Sequence, residues 1–180
     1  TKEGIYNIAI LIEEYRYGEK IGEVIRDMQI FVIGNCRNRP PQIVSVEDTC
    51  IEAGQWLNLQ ISASDPDSDP IEFTATGGPF EVNNSPSKWL NTDGEPQSVI
   101  RGDSVVQAIF QWQSNCSHIR KSPYTVVFKA EDQPPFGQKL ADLKALVITV
   151  VGPEPENPVA TPEPRGIEVT WDLPKCPNVR

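Results

Sequence analysis

The stretch SPYTVVFKAEDQP, residues 122–134, carries the pattern that decides the fold. Tyr124, Val126, Phe128 and Ala130 are spaced two residues apart, and this spacing predicts a strand with one buried face. The 17 prolines disfavour long helices. The sequence therefore predicts an all-β fold, and the same alternation recurs in residues 57–63 and 106–112.

The chain contains an internal repeat. GIYNIAILIEEYR, residues 4–16, aligns without a gap with residues 122–134, and Tyr6 then matches Tyr124 at an offset of 118. The repeat predicts that residues 1–35 are the last two strands, F and G, of one domain, and that residues 36–152 form a complete second copy. Because two strands cannot hide an apolar face, we expect the protein to extend before Thr1. The same offset continues through Ile25 and Leu143, Met28 and Leu146, Ile30 and Ile148, and Val32 and Val150.

Two segments follow the second copy. PEPENPVATPEPRG begins at Pro153 and holds five prolines. Residues 153–165 are therefore predicted to be a stiff, extended linker. GIEVTWDLP, residues 166–174, resembles the second strand of a fibronectin type III domain. That strand ends with a tryptophan. Residues 166–180 are accordingly expected to begin such a domain.

Composition excludes several classes of protein. A net charge of −9 argues against a protein that follows nucleic-acid phosphates. No apolar run is long enough to cross a bilayer, and the N-terminus lacks the pattern of a signal peptide. The four cysteines form no CxxC pair and the chain has one histidine, so zinc spacing is absent. Disulfides in an oxidising compartment are the favoured use of the cysteines.

Several stretches resemble known surface proteins. Tyr124, in its Y-x-V-x-F-x-A pattern, resembles the tyrosine corner of an immunoglobulin-like sandwich, and DPDSDPIEF resembles the loop between strands B and C of cadherin-like domains. The chain is also similar to the repeat-bearing surface proteins of Bacteroidota, which belong to the gliding-motility-associated, type 9 secreted group. This similarity lies in residues 6–30, NCRNRPPQI (35–43), DTCIEAG (48–54), residues 112–132 and VVGPEPENP (150–158).

These resemblances imply a compartment and partners but no catalytic activity. They imply a tandem of immunoglobulin-like, cadherin-like sandwiches that is exported across the outer membrane and displayed or released outside. The expected partners are other domains of the same longer chain and the outer-membrane secretion or gliding machinery. Neither nucleic acid nor a transmembrane segment is expected.

A calcium site is the first candidate. In the resembled sandwich the B–C and F–G loops share one end, so five carboxylates are expected to converge there. Calcium prefers such oxygen ligands, although no cofactor is required. The alternative is that Asp-Pro sequences make turns and that aspartates solvate loop tips. The candidate ligands are Asp65, Asp67, Asp69, Glu131 and Asp132.

A disulfide between Cys50 and Cys116 is the second candidate. In the resembled sandwich Cys50 precedes the A–B turn and Cys116 lies in the E–F connection, and these loops share the opposite end. Cys36 and Cys176 flank domain junctions, and we expect their partners in sequence outside the chain. The alternative is free buried thiols.

The tripeptide Arg101-Gly102-Asp103 has three interpretations. It spells an integrin ligand, but its composition also suits an exposed turn between strands D and E. Asp103-Ser104-Val105 resembles the sequence that Bacteroidota use for O-glycosylation, which makes Ser104 a candidate glycosylation site. The exposed turn is favoured.

No catalytic residue is predicted. His118 lies near Cys116, but no third group is evident to orient a base. Trp56 and Trp89 do not fit the inward alternation and are candidates for a glycan-binding platform.

The sequence as a whole favours a non-enzymatic structural spacer or adhesin segment of a large secreted or cell-surface bacterial protein. The alternatives are a glycan- or protein-binding module of a secreted enzyme, or cargo of the secretion machinery.

Overall fold

A computed structural model describes residues 2–32, 34, 37–44, 47–173 and 175–176 of the chain. The chain divides into two compact units, Thr1–Arg37 and Asn38–Arg180. The division falls close to the predicted domain boundary after residue 35. No helix in these described ranges is both long enough and apolar enough to span a membrane.

The first unit is a β-hairpin. Strand β1 (Gly4–Arg16) pairs antiparallel with β2 (Glu19–Val32). Tyr17 and Gly18 connect them, both with positive φ, at 51° and 86°. Two successive positive φ values match the right-handed twist of the flanking strands, so this connection makes a tight hairpin.

The described residues of the second unit form eleven strands, a short helix and a turn of 3-10 helix. The helix α1 spans Gly78–Glu81, and the 3-10 helix spans Cys116–His118. In chain order the strands are β3 (Gln42–Ile43), β4 (Thr49–Glu52), β5 (Trp56–Ser64), β6 (Ile71–Gly77), β7 (Lys88–Leu90), β8 (Ile100–Gly102), β9 (Val105–Gln113), β10 (Tyr124–Asp132), β11 (Ala141–Val151), β12 (Val159–Glu163) and β13 (Gly166–Thr170).

Two of its sheets form an immunoglobulin-like sandwich. One sheet has the order β3–β5–β9–β7 and the other has the order β4–β11–β10–β6–β8. All pairings in these sheets are antiparallel except that of β4 with β11, which is parallel. The predicted all-β sandwich is confirmed. Strands β12 and β13 form a separate two-stranded sheet.

The alternating residues build the core between the two sheets. Val126, Phe128 and Ala130 of β10 are fully buried, as are Phe110 and Trp112 of β9. Aromatic rings then meet edge to face, a geometry that adds to the stabilisation from area burial. Phe110 and Phe128 show it, with ring centroids 6.2 Å apart and planes at 78°.

The hairpin of the first unit repeats the register of β10 and β11. Tyr6 lies opposite Ile30 in the hairpin, and Tyr124 lies opposite Ile148 in the sandwich, so both strands keep the offset of 118. The two tyrosines differ in burial, because Tyr124 is 4% exposed and Tyr6 is 42% exposed. The apolar face that packs in the sandwich is thus exposed on the hairpin.

The C-terminal region differs from the predicted linker. Strand β12 lies inside residues 153–165 and pairs with β13, so this segment is partly a hairpin rather than an extended spacer throughout. Asp172 N–H also donates to the carbonyl of Glu156, 3.0 Å away. Prolines flank the strand and one lies within it, which a two-stranded sheet tolerates because each strand is an edge. The fibronectin type III assignment stays a prediction.

Candidate functional site

The DPDSD loop, residues 65–69, is held by hydrogen bonds within the loop and by hydrogen bonds from Arg39. Asp65 Oδ1 accepts hydrogen bonds from the backbone N–H groups of Asp67 and Asp69, at 2.8 and 3.1 Å. Arg39 in turn holds Asp67: its Nη2 and Nε lie 2.6 and 3.0 Å from Oδ1, and its backbone N–H donates to Oδ2 at 2.7 Å. Arg39 Nη2 also donates to the carbonyl of Pro66.

Asp132, the last residue of β10, lies at the same end of the sandwich as the DPDSD loop. Its side chain is fully buried. Oδ1 accepts from the Leu140 backbone N–H at 2.6 Å, and Oδ2 accepts from Asn38 Nδ2 at 2.7 Å. A buried carboxylate is tolerated when donors surround it, so Asp132 fixes both the loop between β10 and β11 and the chain entering the sandwich.

The aspartates of this end influence one another's pKa. The pKa of Asp69 is raised, first by burial and then by the charges of Asp65, Asp132 and Asp67. The pKa of Asp67 is lowered, because Arg39 stabilises its charged form through side-chain and backbone hydrogen bonds. The guanidinium of Arg39 thus neutralises the charge of Asp67 within this cluster.

Glu131 does not join the predicted five carboxylates. Adjacent residues on a strand point to opposite faces, so Glu131 lies on the face of β10 opposite to buried Asp132. It pairs there with Lys129, whose hydrogen bond lowers the pKa of Glu131. Across the described ranges, no group of three or more His, Cys, Asp or Glu side chains is arranged to hold a metal ion. The turn interpretation agrees with the hydrogen bonds that Asp65 Oδ1 accepts within the loop, and the calcium site stays a prediction.

The disulfide prediction is wrong in its pairing. Cys116 bonds to Cys176, with a sequence separation of 60, and Cys50 is a free, exposed cysteine. The turn between β4 and β5, which is the A–B turn of the prediction, does approach the residues before Cys116, since Gly54 N–H donates to the Ser114 carbonyl at 3.0 Å. Cys50, however, lies earlier, on β4, where the neighbouring Ile51 takes the inward position. Cys36 lies outside the described residues.

The Arg-Gly-Asp tripeptide is not a simple exposed turn. Arg101 and Gly102 belong to β8, and Arg101 forms an ion pair with Glu72 on β6, with Nη2 2.8 Å from Oε1. Only the remaining Asp103 and Ser104 form the bend that leads into β9. The backbone carbonyl of Ser104 accepts from Asp65 N–H at 2.9 Å. Glycosylation of the Ser104 hydroxyl stays a prediction.

The two tryptophans do not form a platform. Trp89 is 4% exposed and packs edge to face on Phe73, with centroids 5.1 Å apart. Trp56 is 55% exposed, at the start of β5. The prediction for Trp89 was wrong because β7 has only three residues, too few to reveal which side of the strand faces inward.

Both ring nitrogens of His118 form hydrogen bonds with backbone groups. Nδ1 accepts from the Asn115 N–H at 3.1 Å, and Nε2–H donates to the Asn84 carbonyl at 2.8 Å. Burial lowers the pKa of His118, and the charge of Arg120 lowers it further. This neutral imidazole caps the 3-10 helix, and the nearby Cys116 sulfur is held in the disulfide.

The chain was compared with known families, curated proteins and solved structures. No family model matches it, and no curated protein matches its sequence. A PapD-like domain of human CEP192 is 8% identical, with a TM-score of 0.43 over 69% of this chain and 94% of that one. The sialic-acid-binding region of a Streptococcus sanguinis adhesin is 12% identical, with a TM-score of 0.44 over 76% of this chain and 45% of that one.

The SrpA adhesin of the same organism is 14% identical, with a TM-score of 0.41 over 67% of this chain and 65% of that one. All three TM-scores are below 0.5, so the proposed function rests on the chain's own residues. Those residues define the class of protein: an all-β, immunoglobulin-like sandwich with a disulfide-linked C-terminal segment.

Proposed function

We propose that the chain is a non-enzymatic structural spacer or adhesin segment of a large secreted or cell-surface protein, and that its sandwich bears tension. The observation that carries this proposal is the parallel pairing of β4 with β11, from Thr49 opposite Ile148 to Glu52 opposite Val151. Tension that pulls β4 out along its own axis must shear all its ladder hydrogen bonds together. An antiparallel pair pulled from its two adjacent ends opens one bond at a time instead.

Side-chain and turn contacts extend this parallel pair at both ends. Asp48 Oδ1 accepts from the Val147 N–H at 2.8 Å, just before β4 begins. Ala53 N–H donates to the Val151 carbonyl at 2.9 Å, just after β4 ends. The ion pair of Arg39 with Asp67 lies before these contacts, because Arg39 precedes β4 in the chain. Tension entering near Arg39 thus meets these contacts before it reaches the core.

The disulfide determines where tension leaves the sandwich. Cys176 is joined to Cys116, so a pull on the chain beyond Cys176 is transferred to the 3-10 helix after β9. That helix lies at the end of the sandwich where the A–B turn contacts Ser114, and the entering chain lies at the other end, beside Asp132. Strands β10 to β13 lie inside the covalent loop, so they do not extend while the disulfide is intact, and β11 resists the pull only through its ladder with β4.

The setting of the proposed spacer is a bacterial cell surface. We propose a type 9 secreted protein of Bacteroidota, with other domains of the same longer chain as its first partners and the secretion or gliding machinery as a further one. The support is the resemblance of NCRNRPPQI, DTCIEAG and VVGPEPENP to that group. Modular repetition supports the tandem arrangement, because the hairpin and the sandwich share one strand register.

Single-molecule force spectroscopy tests the proposal. The chain is pulled between two copies of a helical reference domain, which unfolds at low force. We expect the sandwich to unfold at a clearly higher force than the reference, and Asp48→Ala to lower that force. Asp103→Ala, in the bend after β8, is the matched control and should leave the force unchanged. Two results contradict the proposal. One is that the sandwich unfolds at the same force as the reference, and the other is that the Asp48→Ala variant unfolds at the same force as the native chain.

A further inference from the structure

One edge of the second sheet is only partly covered. Strand β6 pairs with β10 along its whole length, from Ile71 to Gly77. On its other side β8 pairs only with Ile71 to Phe73. Within the described ranges, no strand covers residues 74–77 on that side. An uncovered strand edge presents unpaired backbone N–H and C=O groups, which act as a template for another strand.

An open groove of about 590 Å³ runs beside this uncovered edge. Its lining includes Ala75 of β6, Phe80 of α1 and Trp89 of β7. These three side chains are apolar and give the groove a hydrophobic floor. The rim carries one cation, Lys88, and one anion, Glu81, so its formal charges cancel.

A buried hydroxyl in the groove lacks a partner. Ser87 lines the groove and is 7% exposed, and its Oγ has no hydrogen-bond partner among the described residues. Its backbone is satisfied, because Ser87 N–H donates to the Pro79 carbonyl at 2.8 Å. A buried hydroxyl without a partner is destabilising, and a ligand that supplies a donor or an acceptor removes that cost.

We propose that this groove binds an extended polypeptide segment, which adds as a strand to residues 74–77 of β6. The backbone of the segment pairs with the uncovered edge, and Ser87 Oγ supplies a further hydrogen bond. Side chains of a strand alternate in direction, so an apolar residue lies on the floor and its polar neighbours face solvent. The preferred segment is uncharged and alternates apolar with small polar residues.

The observations favour a polypeptide over a carbohydrate. Sugars stack on the exposed face of an aromatic ring, whereas the Trp89 ring packs between Phe73 and Phe128, with centroids 5.1 and 5.5 Å away. An uncovered strand edge recognises a feature that only a polypeptide has, a regular row of backbone amides. The groove is also separate from the proposed tension-bearing contact, since β11 and β10 lie between β4 and β6 in the sheet.

The test uses a library of synthetic seven-residue peptides that alternate valine or leucine with serine or threonine, and amide NMR of the full chain. We expect some members to bind, to shift the amides of residues 74–77 and the Trp89 indole N–H, and to slow hydrogen exchange at that edge. Ser87→Ala, which removes only the hydroxyl and adds no bulk, should weaken binding by roughly tenfold. Ser64→Ala, at the exposed last residue of β5 and outside the groove, is the matched control and should leave the affinity unchanged.

Three outcomes overturn the proposal. The first is that no peptide binds at millimolar concentration. The second is that binding shifts amides elsewhere and leaves residues 74–77 unchanged. The third is that oligosaccharides, and not peptides, shift these amides. Because the force measurement uses the chain without any ligand, the failure of this proposal and the failure of the proposed function are distinguishable.

Discussion

Cys116 and Cys176 are joined by a disulfide that encloses β10, β11 and the C-terminal hairpin in one covalent loop. Cys176 itself is 2% exposed, so the bond holds a buried contact rather than a loose tail. Two further contacts support the same segment: an ion pair between Lys175 and Glu156, and a hydrogen bond from Asn157 to Asp172. The C-terminal segment is thus attached to the sandwich at a defined point.

Removing this bond should destabilise the sandwich. For a sequence separation of 60, the chain-entropy model gives about 4 kcal/mol of stabilisation through the unfolded state. We expect Cys116→Ser to lower the free energy of unfolding by about that amount, and to make residues 153–165 cleavable by protease. Cys50→Ser is the control, because Cys50 is free and exposed. Equal stability of the two variants in urea titrations would contradict the assigned pairing.

Calcium should leave the stability of the chain unchanged. Arg39 holds Asp67 on both carboxylate oxygens, so its guanidinium already supplies the cation at this end of the sandwich. A ligand that binds only the folded state raises the melting temperature by mass action. We therefore expect the same melting temperature in EDTA and in millimolar calcium. A rise of several degrees in calcium would support the cation site predicted from the sequence instead.

The two tryptophans should differ sharply in their contribution to stability. Trp89→Ala removes a buried ring and should cost about 3–5 kcal/mol. Trp56→Ala, on a half-exposed side chain, should change the free energy of unfolding by about 0.5 kcal/mol or less. Urea titrations of both variants check this contrast. A small effect for Trp89→Ala would place its ring outside the core.

Acidification should destabilise the chain through His118. Its pKa in the folded chain is lowered by burial from the ordinary value of 6.5. Above that value both states are neutral, and the full stability is present. As pH falls below it the unfolded state takes up the proton first, so stability decreases by at most about 1.4 kcal/mol per pH unit until the folded pKa is reached.

His118→Gln provides the comparison for this pH dependence. The variant has no imidazole, so its free energy of unfolding, measured by urea titration at each pH, should lack the decrease that His118 causes below its ordinary pKa of 6.5. Carboxylates contribute equally to both chains. The groups that face His118 include Arg120, whose charge acts in the same direction as burial. Parallel profiles for the two chains would exclude His118 as the source.

Much of the core could be predicted from the sequence, because period-two alternation in long strands directly reflects which face is buried. Tyr124 and Phe128 are buried as that pattern requires. The proximity of Asp69 to Asp132 was also predictable, since sandwich loops of one end meet. Trp89 was not predictable, because a three-residue strand shows no period.

Two features of the site depend on contacts that a single sequence does not reveal. Four cysteines allow three pairings, and nothing local distinguishes Cys176 from Cys50 as the partner of Cys116. Arg39 carries no motif that identifies Asp67 as its partner, 28 residues away in the chain. Both contacts exist because the folded sandwich brings distant segments together at its two ends.

The length gained when the sandwich unfolds under force tests the tension path most directly. With the disulfide intact, the residues between Cys116 and Cys176 stay inside the covalent loop and do not extend. We predict that the chain under reducing conditions gains roughly 200 Å more contour length than the oxidised chain, since each extended residue spans about 3.5 Å. Equal contour lengths in the two conditions would contradict the account, because the pull would then pass through β10 and β11 rather than through the disulfide.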